Sequence, residues 1–192
     1  MRLLMIATTV LIGASCAAAL TPPLVEFDRT APPDTVSDYP GFQARIYREG
    51  RLYIAGQPSA EACRELPERG VTAVVNLRTP GEMDDRDRVP FDEAALLGEL
   101  GIDYVWIPLG GEEHPYTPAA VDSFAAALQR HRGPVLLHCT VAWRASHLWA
   151  AYLVRHQGWE LGEAYARASR IGIGELPLAR LLDRELKVVE AD

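Results

Sequence analysis

The sequence predicts an α/β fold: a central, mostly parallel sheet of four to five strands flanked by helices. Two observations lead there. Short runs such as VTAVVNLR, IDYVWIPL and PVLLHC are apolar on both faces, as strands covered on both sides of a sheet must be. Between them stand stretches of helical periodicity with start and stop signals, and such alternation describes crossover connections in a parallel sheet. In sheets of this kind ligands bind beyond the carboxyl ends of the strands.

Each element can be justified in order. ARIYREGRLYIAG (44–56) reads as one or two strands. SAEACRELPERG (59–70) reads as a helix with Ser59 as N-cap and Gly70 as the stop, its regular part ending at Pro67. VTAVVNLR (71–78) is a Val-rich strand, PFDEAALLGELG (90–101) a helix closed by Gly101, and IDYVWIPL (102–109) the next strand. TPAAVDSFAAALQRHRG (117–133) is a helix with Thr117 as N-cap and Pro118 at the first helical position. PVLLHC (134–139) is a strand and RASHLWAAYLVRHQG (144–158) the helix after it. LGEAYARASRIG (161–172) and ELPLARLLDRELKVV (175–189) read as two further helices.

A chain of 192 residues suits one domain with extras. Hydrophobic residues make up 48% and charged residues 23%, an ordinary globular balance. The net charge of −7 argues against a broad nucleic-acid surface, which needs clustered Lys and Arg, yet leaves room for one local anion site. The first 20 residues carry Arg2, an apolar run over 3–12 and then small residues. That is the layout of a secretory signal peptide, too short for a spanning helix. Cleavage after Ala19 fits Ala17 and Ala19; a lipid anchor at Cys16 and a retained hydrophobic N-terminus are the alternatives. Cleavage or lipidation would export the protein, to the periplasm or beyond the cell. The expected organisation is a signal peptide over 1–19, a Pro-rich extended leader over 20–40 and one domain over 41–192, with no stable membrane span. Cys63, within a helix, reads as a small buried residue; a Cys63–Cys139 disulfide is the alternative.

The chemistry concentrates in PVLLHCTVAWRAS (134–146). A buried strand delivers Cys139 to the sheet edge, and a helix begins near Arg144. Between them the backbone N–H groups of Thr140, Val141, Ala142, Trp143 and Arg144 can curl around one point as an anion nest at a helix N-terminus. The same field favours a thiolate. Arg144 would return as a bidentate clamp on an oxyanion, and a thiolate facing that oxyanion supports covalent catalysis. His138 is placed to hold the loop through a backbone carbonyl. Apart, such a cysteine is an ordinary core residue and such an arginine an ordinary solvated one; together, at a strand–loop–helix junction, they point to chemistry on an oxyanion.

These residues carry a resemblance. LLHCTVAWRAS resembles the signature loop of the protein tyrosine phosphatase superfamily, and residues 52–178 resemble the bacterial beta-lactamase-hydrolase-like protein phosphatase family, a dual-specificity-like branch. The matching stretches are LYIAGQPSAEACRELPERGVTAVVNLRTPGE, YVWIPL, PVLLHCTVAWRASHLWAAYLVR and GEAYARASRIG, in that order. The resemblance implies a cysteine-phosphatase-like fold, Cys139 as nucleophile, Arg144 as phosphate binder, and a phosphorylated small molecule or phosphoprotein as partner. It implies no cofactor and no metal.

The departures leave alternatives open. The superfamily pattern is Cys-x5-Arg followed directly by Ser or Thr; here it is Cys-x4-Arg, followed by Ala145 and then Ser146. Ser146 or Thr140 would ease departure of the thiolate from the intermediate. Ala142 stands where related members often carry Gly, so the backbone has less freedom. A six-residue loop is also the size found in rhodanese-type sulfurtransferases. A sulfurtransferase with a persulfide on Cys139, and a non-catalytic oxyanion-binding module, therefore stand beside the phosphatase reading. The superfamily's general acid is an Asp roughly thirty residues before the cysteine; IPLGGEEHPYTP has none, leaving Glu112 or Glu113, then His114. Arg78 and Glu82 follow the carboxyl end of a strand and should lie on the face of Cys139, pairing with each other or rimming the pocket. EMDDRDR reads as a solvated loop, Trp143 as a pocket wall, and Trp106 and Trp149 as core. His131, His147 and His156 show no ligand spacing.

Overall fold

The computed structural model describes residues 31–186, so the expected signal segment and the candidate lipid site at Cys16 lie outside the described residues. Six strands form one sheet: β1 (Asp34–Val36), β2 (Ile46–Glu49), β3 (Leu52–Ala55), β4 (Ala73–Asn76), β5 (Asp103–Trp106) and β6 (Val135–His138). Their order is β1-β2-β3-β6-β4-β5. The β3, β6, β4 and β5 strands run parallel, while β1, β2 and β3 pair antiparallel. The run 44–56 is thus two strands, a hairpin that places Glu49 opposite Leu52. One strand, β1, exceeds the four to five expected. It has three residues, too few for alternation to be read, and it extends the sheet into the stretch read as leader.

Among the described residues, seven helices accompany the sheet: α1 (Ala60–Glu65), α2 (Pro80–Asp84), α3 (Glu93–Glu99), α4 (Pro118–Arg130), α5 (Trp143–Gln157), α6 (Leu161–Ala168) and α7 (Glu175–Leu182). The reading of EMDDRDR as loop is corrected at its start, because α2 runs through Asp84. Pro80 opens that helix, and Thr79 with Glu82 forms a capping box, the Thr79 amide donating to Glu82 Oε2 at 2.8 Å.

Strand periodicity splits the interior into two layers. Leu52, Ile54, Val75 and Leu137 face α4, α5, α6 and α7, where Phe124 and Trp149 are fully buried. Tyr53, Val74 and Leu136 face α1 and α3, packing with Cys63, Leu66 and Leu97. Each large side chain so buried contributes about 1.5–3 kcal/mol. Gly158, with φ 66°, ends α5 in the left-handed conformation that a Cβ disfavours. The expectation for Trp149 holds, but Trp106 is 44% exposed, because β5 is an edge strand and Trp106 its last residue. Both Cys63 and Cys139 are free thiols, so the disulfide alternative falls. Burial pushes the Cys63 thiol well up, which makes it unreactive.

Candidate active site

β6, buried along its whole length, ends at His138, and Cys139 directly after it is 1% exposed. The residues after β3 brace the loop: the Gln57 amide donates to Thr140 O at 3.0 Å, and Gly56 bridges Val141. Position 56 must be glycine, since a Cβ there would stand 2.8 Å from Thr140 O and 2.9 Å from the Ala44 amide nitrogen. The chain then turns through Ala142, held at φ 68° and ψ −9°, and enters α5 at Trp143. A side-chain-bearing residue in that region costs about 1–2 kcal/mol. Among the described residues, no acceptor takes the amides of Thr140, Val141, Trp143 or Arg144. These four N–H groups stand at the N-terminus of a 15-residue helix, beside a thiol, a setting that favours an anion.

Arg144 sits in the first turn of α5, 12% exposed. Its fork holds the Glu82 carboxylate, Nη1 to Oε2 at 2.7 Å and Nη2 to Oε1 at 2.6 Å. Nη1 also donates to Leu109 O at 2.8 Å, and Nη2 to Thr140 Oγ1 at 2.9 Å. Nε is the donor left without an acceptor among the described residues. The bidentate fork expected on an oxyanion is therefore closed on Glu82, and the Nε edge with the loop amides remains for a ligand. Burial pushes the Glu82 carboxyl up, but hydrogen bonds from Arg144, the Thr79 amide and Thr140, with the Arg144 charge, hold it down at about 2. Such a carboxyl is ionised and donates no proton. Burial pulls Arg144 down, yet Glu82 and Cys139 together leave it raised.

Arg78 and Glu82 do form an ion pair, a long one with Arg78 Nε 3.9 Å from Glu82 Oε1. Arg78 is 1% exposed; its Nη1 donates to Gln57 Oε1 at 2.8 Å and its Nη2 to Glu82 O at 3.1 Å. Among the described residues, His138 reaches no backbone carbonyl. Its Nε2 stands 2.9 Å from Glu93 Oε1, both side chains fully buried, at an angle that makes no hydrogen bond. Gln57 Nε2 donates to Glu93 Oε2 at 3.1 Å and Asn76 Nδ2 to the same oxygen at 3.3 Å, so the ends of β3 and β4 meet at the first residue of α3. Gln57 and Glu93 were missed as site-supporting residues. For Glu93 a signal existed: it shares a helix face with the apolar Leu96, Leu97 and Leu100.

Ser146 donates to Trp143 O at 2.8 Å and to Gly172 O, so its hydroxyl is engaged away from the thiol, whereas Thr140 Oγ1 donates to Glu82 Oε1 at 2.9 Å. Glu112 and Glu113 are exposed in a turn closed by the Gly110 amide on His114 O at 2.7 Å. With Thr79, Pro80 and Gly81 they line a cavity of about 390 Å³. That turn adjoins Arg144, since a Cβ on Gly110 would lie 3.6 Å from its Nη1. Both carboxylates thus stand on the correct edge, without a bond that fixes either toward Cys139. Tyr116, half-buried in the same segment, was not singled out; burial raises its hydroxyl, and the charges of Arg144, Cys139 and Glu82 all reach it.

A parallel sheet ending in this thiol-bearing loop defines the class, the cysteine-dependent phosphatases of the protein tyrosine phosphatase superfamily. Residues 38–179 match the model of the family described as DSP-PTPase phosphatase fused to NAD+ kinase, and the chain belongs to that family. It is 32% identical over 100 residues to the beta-lactamase hydrolase-like protein of Xylella fastidiosa, covering 52% of this chain and 22% of the relative. The chain thus spans about a fifth of that relative's length. TpbA of P. aeruginosa, solved in complex with pTyr, superposes with a TM-score of 0.57 at 21% identity over 81% of this chain and 88% of its own. PTPMT1 gives a TM-score of 0.56 at 20% identity over 69% and 87%. At those identities the two structures speak for the fold alone.

Proposed function

We propose that this chain is an exported phosphatase that hydrolyses phosphomonoesters, phosphotyrosine-like or small-molecule, through a cysteinyl-phosphate intermediate. The observation that supports the reading is a buried thiol followed by four loop amides and an Arg144 Nε that have no acceptor among the described residues. The Cys139 thiolate attacks phosphorus and forms the S–P bond as the ester P–O bond breaks. The leaving oxygen takes a proton from Glu112 or Glu113. Water then attacks phosphorus, breaks the S–P bond and releases inorganic phosphate and the thiolate. Export rests on the sequence of residues 1–19, with lipidation at Cys16 as the other route.

One observation favours a second reading. The six-residue loop, tightened through a left-handed Ala142, suits a persulfide on Cys139. A paired assay on the purified full-length chain, with Cys139→Ser as control, separates the two. Cys139-dependent release of phosphate from an aryl phosphate supports the phosphatase. Cys139-dependent sulfur transfer from thiosulfate to cyanide alone would replace it with a sulfurtransferase. Silence in both arms would leave an oxyanion-binding module.

A further inference from the structure

Four large apolar side chains are exposed among the described residues: Trp106 at 44%, Val141 at 54%, Trp143 at 40% and Leu176 at 74%. All four belong to the edge that carries the thiol. Val141 and Trp143 are on the loop itself. Trp106 ends β5, and its Nε1 donates to the carbonyl of buried Arg78 at 2.8 Å, so its polar end is engaged and its ring is left outward. Leu176 is the second residue of α7, two residues after Gly174, and a Cβ on Gly174 would meet Trp143 Cζ2 at 3.5 Å. Exposed apolar side chains scattered over a surface need no explanation, but two on the thiol loop itself, with two more on the elements beside it, are a surface that a ligand of the loop would meet.

The collar is also held in place. The His147 ring meets the Trp143 ring edge-on, with centroids 4.2 Å apart. His147 Nδ1 lies 2.6 Å from Trp143 O, and its Nε2 accepts from the Gly174 amide at 2.7 Å. Ser146 donates to Gly172 O on the same segment. Two side-chain bonds therefore fasten the segment before α7 to the first two turns of α5, beside Trp143. Rigid aromatic walls bind apolar groups at little entropic cost.

We infer that the substrate of this site is a phosphomonoester whose leaving group is an alkyl chain, seated against Val141, Trp143 and Leu176 while its phosphate enters the loop. The inference rests on the phosphatase reading and narrows its substrate class. Phosphate esters of sugars would leave this apolar surface wet. A polyanion meets a chain of net charge −7 whose clamp is already closed on Glu82.

The test is titration calorimetry of the full-length Cys139→Ser chain with methyl-, butyl- and hexylphosphonate and with glycerol phosphate, all below micellar concentration. The dissociation constant is expected to fall with chain length, by up to about fourfold per buried methylene. Leu176→Ser is expected to flatten that gradient several-fold and leave methylphosphonate affinity unchanged; Trp143→Ala is expected to flatten it further. Equal affinity for methyl- and hexylphosphonate overturns the inference and leaves the phosphatase reading standing. So does a preference for glycerol phosphate, or a gradient that neither variant changes. Binding of no phosphonate at all overturns both.

Discussion

Glu82 and Arg144, 62 residues apart, meet in a bidentate ion pair with contacts of 2.6 and 2.7 Å at the edge of the thiol loop. Thr140, the residue after Cys139, joins both partners through one hydroxyl. The pair therefore decides how the α5 arginine is held before any ligand arrives.

Glu82→Gln should destabilise the fold by about 1.5–3 kcal/mol, the scale of hydrogen bonds to charged groups, and lower kcat because Arg144 loses its anchor. The Glu82 carboxyl lies at about 2 in the fold, below the roughly 4.3 of an unfolded chain. Its contribution is present in full above the unfolded value and is lost as pH falls toward 2. Urea melts of both proteins should differ by a constant amount from pH 5 to 8 and converge near pH 2. A difference that grows above pH 6 would contradict the pairing.

Arg144→Lys should lower kcat/KM for an aryl phosphate by roughly 10²–10³-fold, the cost of a lost oxyanion donor. An ammonium reproduces neither the fork on Glu82 nor the Nε donor. Unchanged steady-state kinetics in the lysine variant would remove Arg144 from the site.

Ala142→Gly should raise stability by up to about 1 kcal/mol, since glycine escapes the left-handed penalty and returns part of the gain as chain entropy. The readout is the urea midpoint at constant m-value. A lower midpoint would mean that the turn at φ 68° is not under steric strain.

His147 should make stability fall in mild acid. Burial lowers its pKa below the ordinary 6.5, although the carbonyls of Trp143 and Gly174 oppose this. The unfolded chain therefore takes up the proton first, and stability is full above about pH 6.5 and declines as pH falls below it. Melting temperatures at pH 7.5 and pH 5 should drop more for the native chain than for His147→Gln. Equal drops would place the titrating group elsewhere.

Much of this was legible along the chain. Two-sided apolar runs mark β4 and β6, caps and helical periodicity mark the crossovers, and the spacing from Cys139 to Arg144 places both at one strand–helix junction. The Thr79–Glu82 capping box that opens α2 is also local, yet the stretch from Glu82 reads as loop in the sequence. These features are local: they depend on residues within a turn or two of one another, and their side-chain period is set by backbone geometry.

Tertiary structure decided the rest. The partner of the Arg144 fork, the burial of Arg78 among Gln57 and Glu82, the seat of His138 beside Glu93, and the gathering of Trp106, Val141, Trp143 and Leu176 on one edge all join segments far apart in sequence. Which of those segments become neighbours depends on the order β3-β6-β4-β5. That order is selected by packing between whole layers, in which no single stretch of sequence holds both sides of a contact.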